Sequence, residues 1–165
     1  MATSPNGQAP TPQSGATLTE ARDWLRERLY DGARCPCCEQ YARVYRRKLN
    51  ATMIRALVAL YRAGGTERYV HGPTVLRGTN VFGGEVGKLA LFGLVAEETA
   101  RREDGGRSGW WLVTREGEEF LHRRRVVRKY ATVYDGRRLG WAGDDVTVDD
   151  ALGTKFRLDE LMRGE

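Results

Sequence analysis

Histidine and cysteine are both scarce in this chain, with two and three residues respectively in 165. That scarcity excludes a zinc centre built from two Cys pairs of one chain, and it leaves no Cys-His motif from which to build a nucleophilic enzyme. Long apolar runs are missing as well. No stretch approaches the roughly 18 consecutive apolar residues of a membrane span, so no membrane partner is expected. The opening residues, MATSPNGQAPTPQSGA, lack the basic start and apolar stretch of a secretory signal, and the expected location is a reducing cytoplasm. Asp144-Asp145 and Asp149-Asp150 have no His partner and no fixed ligand spacing, which suits turns and helix starts better than a cation site. No internal repeat is visible. These absences together point away from catalysis, and no enzyme is expected.

What is present fits a soluble globular chain: 41% of residues are apolar and 30% charged. The length allows one domain, or one domain with a small appendage. The formal charge of +5 favours an acidic partner, and its distribution is polarised. From His122 to Arg138 seven Lys or Arg face the single Asp135, whereas from Gly143 to Glu165 seven Asp or Glu face Lys155, Arg157 and Arg163.

Residues 1–16 are rich in Pro, Ser, Gly, Gln and Thr, and too poor in large apolar side chains to offset ordering entropy; a disordered tail is expected there. Residues 17–49 carry an amphipathic helix capped by Thr17 or Thr19, with Leu18, Ala21, Leu25 and Leu29 on one face, ending at Asp31-Gly32 before a cysteine turn. Asn50 is placed to cap a helix carrying Ile54, Leu57, Val58 and Tyr61 and ending at Gly64-Gly65. A short helical turn over Pro73–Leu76, a helix from Gly84 to Phe92 stopped by Gly93, a strand over Leu94–Glu98, a Gly-rich basic loop and a returning strand over Trp110–Val113 follow. Thr114 to His122 is helical again. Segment 126–165 then holds a hairpin around Asp135-Gly136, a short strand through Val146–Val148 and a closing helix near Leu158–Met162.

Two clusters carry chemistry. Cys35-Pro36-Cys37-Cys38 presents Cys35 and Cys38 at zinc-knuckle spacing, which is half a site; closure would need Cys37, His71, His122, a carboxylate or another subunit. Zinc held by Cys35, Cys38 and Cys37, a thiol turn with no ligand, and a redox role all remain open here. Arg43, Arg46, Arg47 and Lys48 beside Tyr41 and Tyr45 suit contacts with a nucleic-acid backbone, or else form the wet face of a helix.

The central order of helices and strands, from 50 to 125, resembles winged helix-turn-helix proteins of the MarR-like and PadR-like kind. The resemblance rests on Phe92-Gly93-Leu94-Val95 at the entrance to the first wing strand and on the wing Arg101-Arg102-Glu103-Asp104-Gly105-Gly106-Arg107-Ser108-Gly109. It continues in Val113-Thr114-Arg115-Glu116-Gly117, which keeps the Thr and Gly of the family's Leu-Thr-x-x-Gly. The implied fold class is α+β: a winged helix-turn-helix core with a disordered N-terminal tail and a small C-terminal β-hairpin/helix appendage. The implied partner is double-stranded DNA, with Arg101, Arg102 and Arg107 on phosphates or in the minor groove, and Lys88, Asn80 and Thr79 nearest the bases. The expected function is DNA binding or transcription regulation, with a homodimer as one possible form. The alternative is a protein-interaction module that modulates a host factor such as the transcription machinery. The run Cys35-Pro-Cys-Cys-Glu-Gln-Tyr-Ala-Arg-Val-Tyr-Arg-Arg-Lys-Leu-Asn50, with Gly105-Gly-Arg-Ser-Gly-Trp-Trp111 and Lys129-Tyr-Ala-Thr-Val-Tyr-Asp-Gly136, also looks like small uncharacterised proteins of actinobacterial tailed phages, a resemblance over nearly the whole chain after the tail that implies a phage protein acting in the host cytoplasm.

Overall fold

The computed structural model describes residues 11–12, 15–81, 83–99 and 109–164. The chain divides into two units, Met1–Tyr45 with Val133–Gly136, and Arg46–Thr132 with Arg137–Glu165. Most of the expected tail and all three wing arginines, Arg101, Arg102 and Arg107, lie outside the described residues.

In the first unit, Thr17 and Glu20 form a capping box that starts α1 (Leu18–Arg28) by satisfying backbone N–H groups the helix cannot use itself. Ala21 and Leu29 are buried as the apolar spacing predicts, but Leu18 is 78% exposed. Arg28 takes a buried place instead, stacked 4.3 Å over the Trp24 ring and donating to the Trp24 carbonyl at 2.9 Å. The chain then turns at Gly32 (φ 86°), where any side chain would collide with the Tyr41 hydroxyl. That close approach lets β1 (Ala33–Arg34) pair antiparallel with β2 (Tyr41–Ala42), Ala33 opposite Ala42 and Arg34 opposite Tyr41.

The second unit is organised around α2 (Ala51–Gly64). Asn50 accepts from the Met53 N–H and caps it, and Gly65 (φ 60°) ends it. Met53, Ile54, Ala56, Leu57 and Leu60 are fully buried, on more than one face of the helix. Thr52, Arg55, Ala59 and Arg62 form the half-buried to exposed remainder, and the wide apolar face of α2 packs against α4 (Gly84–Leu91), α6 (Val148–Leu152), α7 (Leu158–Arg163) and β6 (Trp110–Val113). β4 (Val70–His71), a strand the sequence did not suggest, and α3 (Gly72–Val75) lie between α2 and α4. β4, β6 and β5 (Val95–Glu97) form an antiparallel sheet in the order β4-β6-β5. Val70 faces Trp111 across it, and Val95 faces Val113. Thr114 caps α5 (Arg115–Leu121) through the Gly117 N–H.

A second sheet joins β3 (Tyr45–Lys48), β7 (Val127–Tyr134) and β8 (Arg137–Val146), with β7 in the middle. Two sequence expectations are corrected here. Residues 41–48 are strands β2 and β3 with a short link, not a helix, because Val44 alone is buried between exposed Arg43 and Tyr45. Val146–Val148 is not a separate strand: Val146 ends β8, and Thr147 with Asp150 forms a capping box that starts α6. Val148, Leu152 and Leu158 are buried in the second unit, so the C-terminal helices share the core around α2. Arg123 stitches them to the end of α5, bonding both carboxylate oxygens of Asp149 and one of Asp159. Among the described residues no helix is long and apolar enough to cross a membrane. The architecture is mixed α and β, as the sequence suggested.

Candidate nucleic-acid interface

Helix α4 is held by Val86 and Leu89, both fully buried, and so turns its other side outward. That outer side is Gly83, Gly84, Gly87 and Ala90, all exposed. A Cβ placed on any of the three glycines would meet nothing within 4 Å among the described residues, so packing against those residues does not require glycine there. Lys88, the one cation of the helix, forms an ion pair with Glu85. The other Glu85 oxygen is buried with no hydrogen-bond partner among the described residues. Thr79 and Asn80 are exposed just before the helix. The Thr79 hydroxyl donates to the Leu76 carbonyl at 2.7 Å and accepts from Val81, so it shapes the link between α3 and α4.

The basic stretch is split between the two units. Arg43 belongs to the first, whereas Arg46, Arg47 and Lys48 lie on β3 in the second, all exposed. The sheet adds Arg128, Arg137 and Arg138, also exposed, and half-buried Lys129. These hairpin cations were not assigned to a site from sequence. The charge run was visible, but its pairing with β3 depends on contacts about eighty residues apart.

Arg138 and Trp141 fix the hairpin to α4. The guanidinium of Arg138 lies 4.3 Å over the Trp141 ring and donates to the Leu91 carbonyl at 2.8 Å, at the C-terminal end of α4 where the helix dipole is negative. Trp141 in turn packs against Phe92, with ring centroids 5.8 Å apart. Arg128 pairs with Asp145 at 3.2 Å and donates to the Gly143 carbonyl. Arg46, Lys48 and Arg137 thus lie on a sheet whose hairpin is docked to the end of α4.

The histidines are engaged elsewhere. His71 stacks near Trp110 and bonds Thr74, and His122 bonds the Tyr61 hydroxyl, which also donates to Glu118 at 2.8 Å. The bond to Glu118 and burial hold the Tyr61 hydroxyl above its ordinary pKa.

In the first unit, the cysteine turn is closed by Cys35 N–H on the Gln40 carbonyl and Glu39 N–H on the Cys35 carbonyl. Cys35 and Cys38 line a recess of about 280 Å³ with Leu25, Gln40, Tyr41, Arg43, Tyr45, Tyr134 and Asp135. Backbone N–H groups of Cys37 and Cys38 donate to the Cys35 sulfur and hold its pKa below the usual thiol value. Cys37 is exposed and is not in that lining; partial desolvation and the neighbouring Cys35, which its thiol contacts, push its pKa up. No group of three or more His, Cys, Asp or Glu side chains stands in metal-binding arrangement among the described residues.

Comparison with known proteins finds no matching family model, curated relative or solved structure.

Proposed function

We propose that this chain is a winged-helix protein that binds double-stranded DNA in transcription, working by binding rather than catalysis. One observation carries the reading. The order α2, β4, α3, α4, β5, β6, with the sheet in the order β4-β6-β5, supports a winged helix-turn-helix, and in this reading α4 is the presented helix and the β5–β6 connection the wing. The sequence of that connection carries Arg101, Arg102 and Arg107. The exposed cations of β3 and of the hairpin, Arg46, Lys48 and Arg137, add further positive charge in this reading.

The chemistry is electrostatic. Arg101, Arg102, Arg107, Arg46, Lys48 and Arg137 neutralise phosphates, and the ions released from the duplex drive association. With glycine and alanine outward and Lys88 tied to Glu85, α4 brings backbone close to the groove and few donors to the base edges, so affinity exceeds sequence selectivity. Thr79 and Asn80 are the side chains nearest to base reading. A phage gene acting in a host cytoplasm is the setting this reading fits. The test is titration of a fluorescent duplex at rising salt. The proposal requires affinity that falls steeply with salt and changes little between unrelated sequences.

The same glycine and alanine face supports a second reading, in which α4 packs against a helix of a host protein. That protein would be recovered from nuclease-treated lysate, and the purified chain would leave duplex DNA unbound at moderate salt.

A further inference from the structure

The first unit has a small core and an unusual concentration of reactive and aromatic groups at one recess. Its cysteine turn is locked from several directions. Strands β1 and β2 hold its two ends, the Cys35 and Glu39 backbone bonds close it, and the Arg34 guanidinium donates to the Glu39 carbonyl at 3.1 Å. Glu39 adopts φ 59°, the left-handed conformation that glycine fills more readily, so the turn is maintained at a conformational cost. The result is directional. Cys35 and Cys38 line one recess, and Cys37 does not.

Two thiolates from one tight turn are a bidentate ligand for a soft, tetrahedral ion, and zinc is the common one. A closed structural site needs four protein ligands. Among the described residues nothing supplies the other two: Cys37 is outside the recess, and Asp135, which lines it, forms no metal-binding group with the thiols. The rim is mixed, with Leu25, Tyr134 and the half-exposed Tyr41 and Tyr45 beside polar Gln40 and Asp135. Arg43 also lines the recess, and one from each of two copies would balance the double negative charge of a zinc ion held by four thiolates. A two-fold axis through the ion would bring two such half-sites together and set the Arg43 side chain of each copy near the charge it offsets.

We propose that Cys35 and Cys38 form half of a tetrathiolate zinc centre, and that the same turn of a second copy of this chain completes it, one ion being shared by two chains. Four zinc–sulfur bonds form on binding, the waters of the aqua ion leave, and each thiol still protonated gives its proton to solvent. Cys37 takes no part. The assignment is independent of DNA binding, because it concerns only the first unit.

The experiment is metal analysis combined with mass determination in solution, on the full chain purified under reducing conditions and reconstituted with zinc alone. The expected result is one zinc per two chains, a dimer, and return to monomer on chelation. Cobalt in place of zinc should give the strong visible bands and thiolate charge-transfer absorption of a tetrahedral four-sulfur site. Cys37→Ser should keep both metal and dimer, and Cys35→Ser or Cys38→Ser should lose both. One zinc per chain in a monomer, a dimer indifferent to chelator, a chain that takes up no zinc, or loss of metal in Cys37→Ser would each overturn the proposal. The wild-type stoichiometry and cobalt spectrum decide the matter even if a Cys35 or Cys38 variant misfolds.

Discussion

Gly117 lies against the backbone carbonyl of Leu94, so closely that a methyl group in place of its hydrogen would overlap the oxygen. Two further bonds fasten the same junction: the Thr114 N–H donates to the Leu94 carbonyl at 3.1 Å, and the Thr114 hydroxyl donates to the Gly93 carbonyl at 2.6 Å. The Gly93-Leu94 and Thr114-x-x-Gly117 pieces of sequence are therefore two sides of one contact, which sets the start of α5 against the entrance to β5. Gly117→Ala must push a backbone carbonyl aside in a packed interior. The expected cost is about 1–3 kcal/mol, the usual range for overpacking. For a chain of this size that lowers the melting temperature by several degrees, on the order of 2–4 °C per kcal/mol. Calorimetry checks it, and an unchanged melt would show that this junction yields freely.

The glycines of α4 predict the opposite sign. Gly84 and Gly87 lie in the helix with open space around them, so Ala at each should stabilise it by about 0.5–1 kcal/mol through lower backbone entropy in the unfolded chain. If α4 brings its backbone up to a DNA groove, the same substitutions should weaken duplex binding. A double variant that melts higher and binds as tightly as the parent would remove α4 from the interface.

Acid should find the C-terminal helices. Asp150 is held below the ordinary Asp pKa, first by the Thr147 hydroxyl and then by the Thr147 N–H, so its charged form favours the folded state. A carboxyl depressed on folding contributes fully above its unfolded pKa, about 3.9, and that contribution is lost as pH falls through the lower folded value. Asp150→Ala should therefore lower the melting temperature at neutral pH, and the gap from wild type should close below about pH 3.9 as the folded carboxyl takes its proton. A gap constant from neutral to strongly acid pH would show that the capping charge is not its source.

What could be read from sequence was what is decided within a few residues. Asn50 and Thr114 cap helices, and Gly65 and Gly93 end them, because the groups satisfied are three or four positions away. Thr147 and Asp150 have the same spacing, yet Val146 and Val148 read as a strand there; the capping signal outranks two β-branched residues. β4 was invisible because two residues carry no periodicity, and only pairing with Trp110 and Trp111 makes them a strand. The role of Arg138 depends on Leu91, forty-seven positions earlier. The lesson for the candidate site is the same. Cation content was legible, but the sheet that gathers Arg46 and Lys48 with the hairpin was not.

The most direct test of the account is the salt dependence of duplex binding, measured for the wild type and for two triple variants. One variant replaces Arg101, Arg102 and Arg107 with alanine, the other Arg46, Lys48 and Arg137. Each phosphate contact removed should flatten the dependence of log affinity on log salt by about 0.9, so each variant should lose roughly 2–3 units of slope while its melt stays near that of the parent. Two folded variants with the parent slope, or a parent that leaves duplex DNA unbound at low salt, would contradict the account.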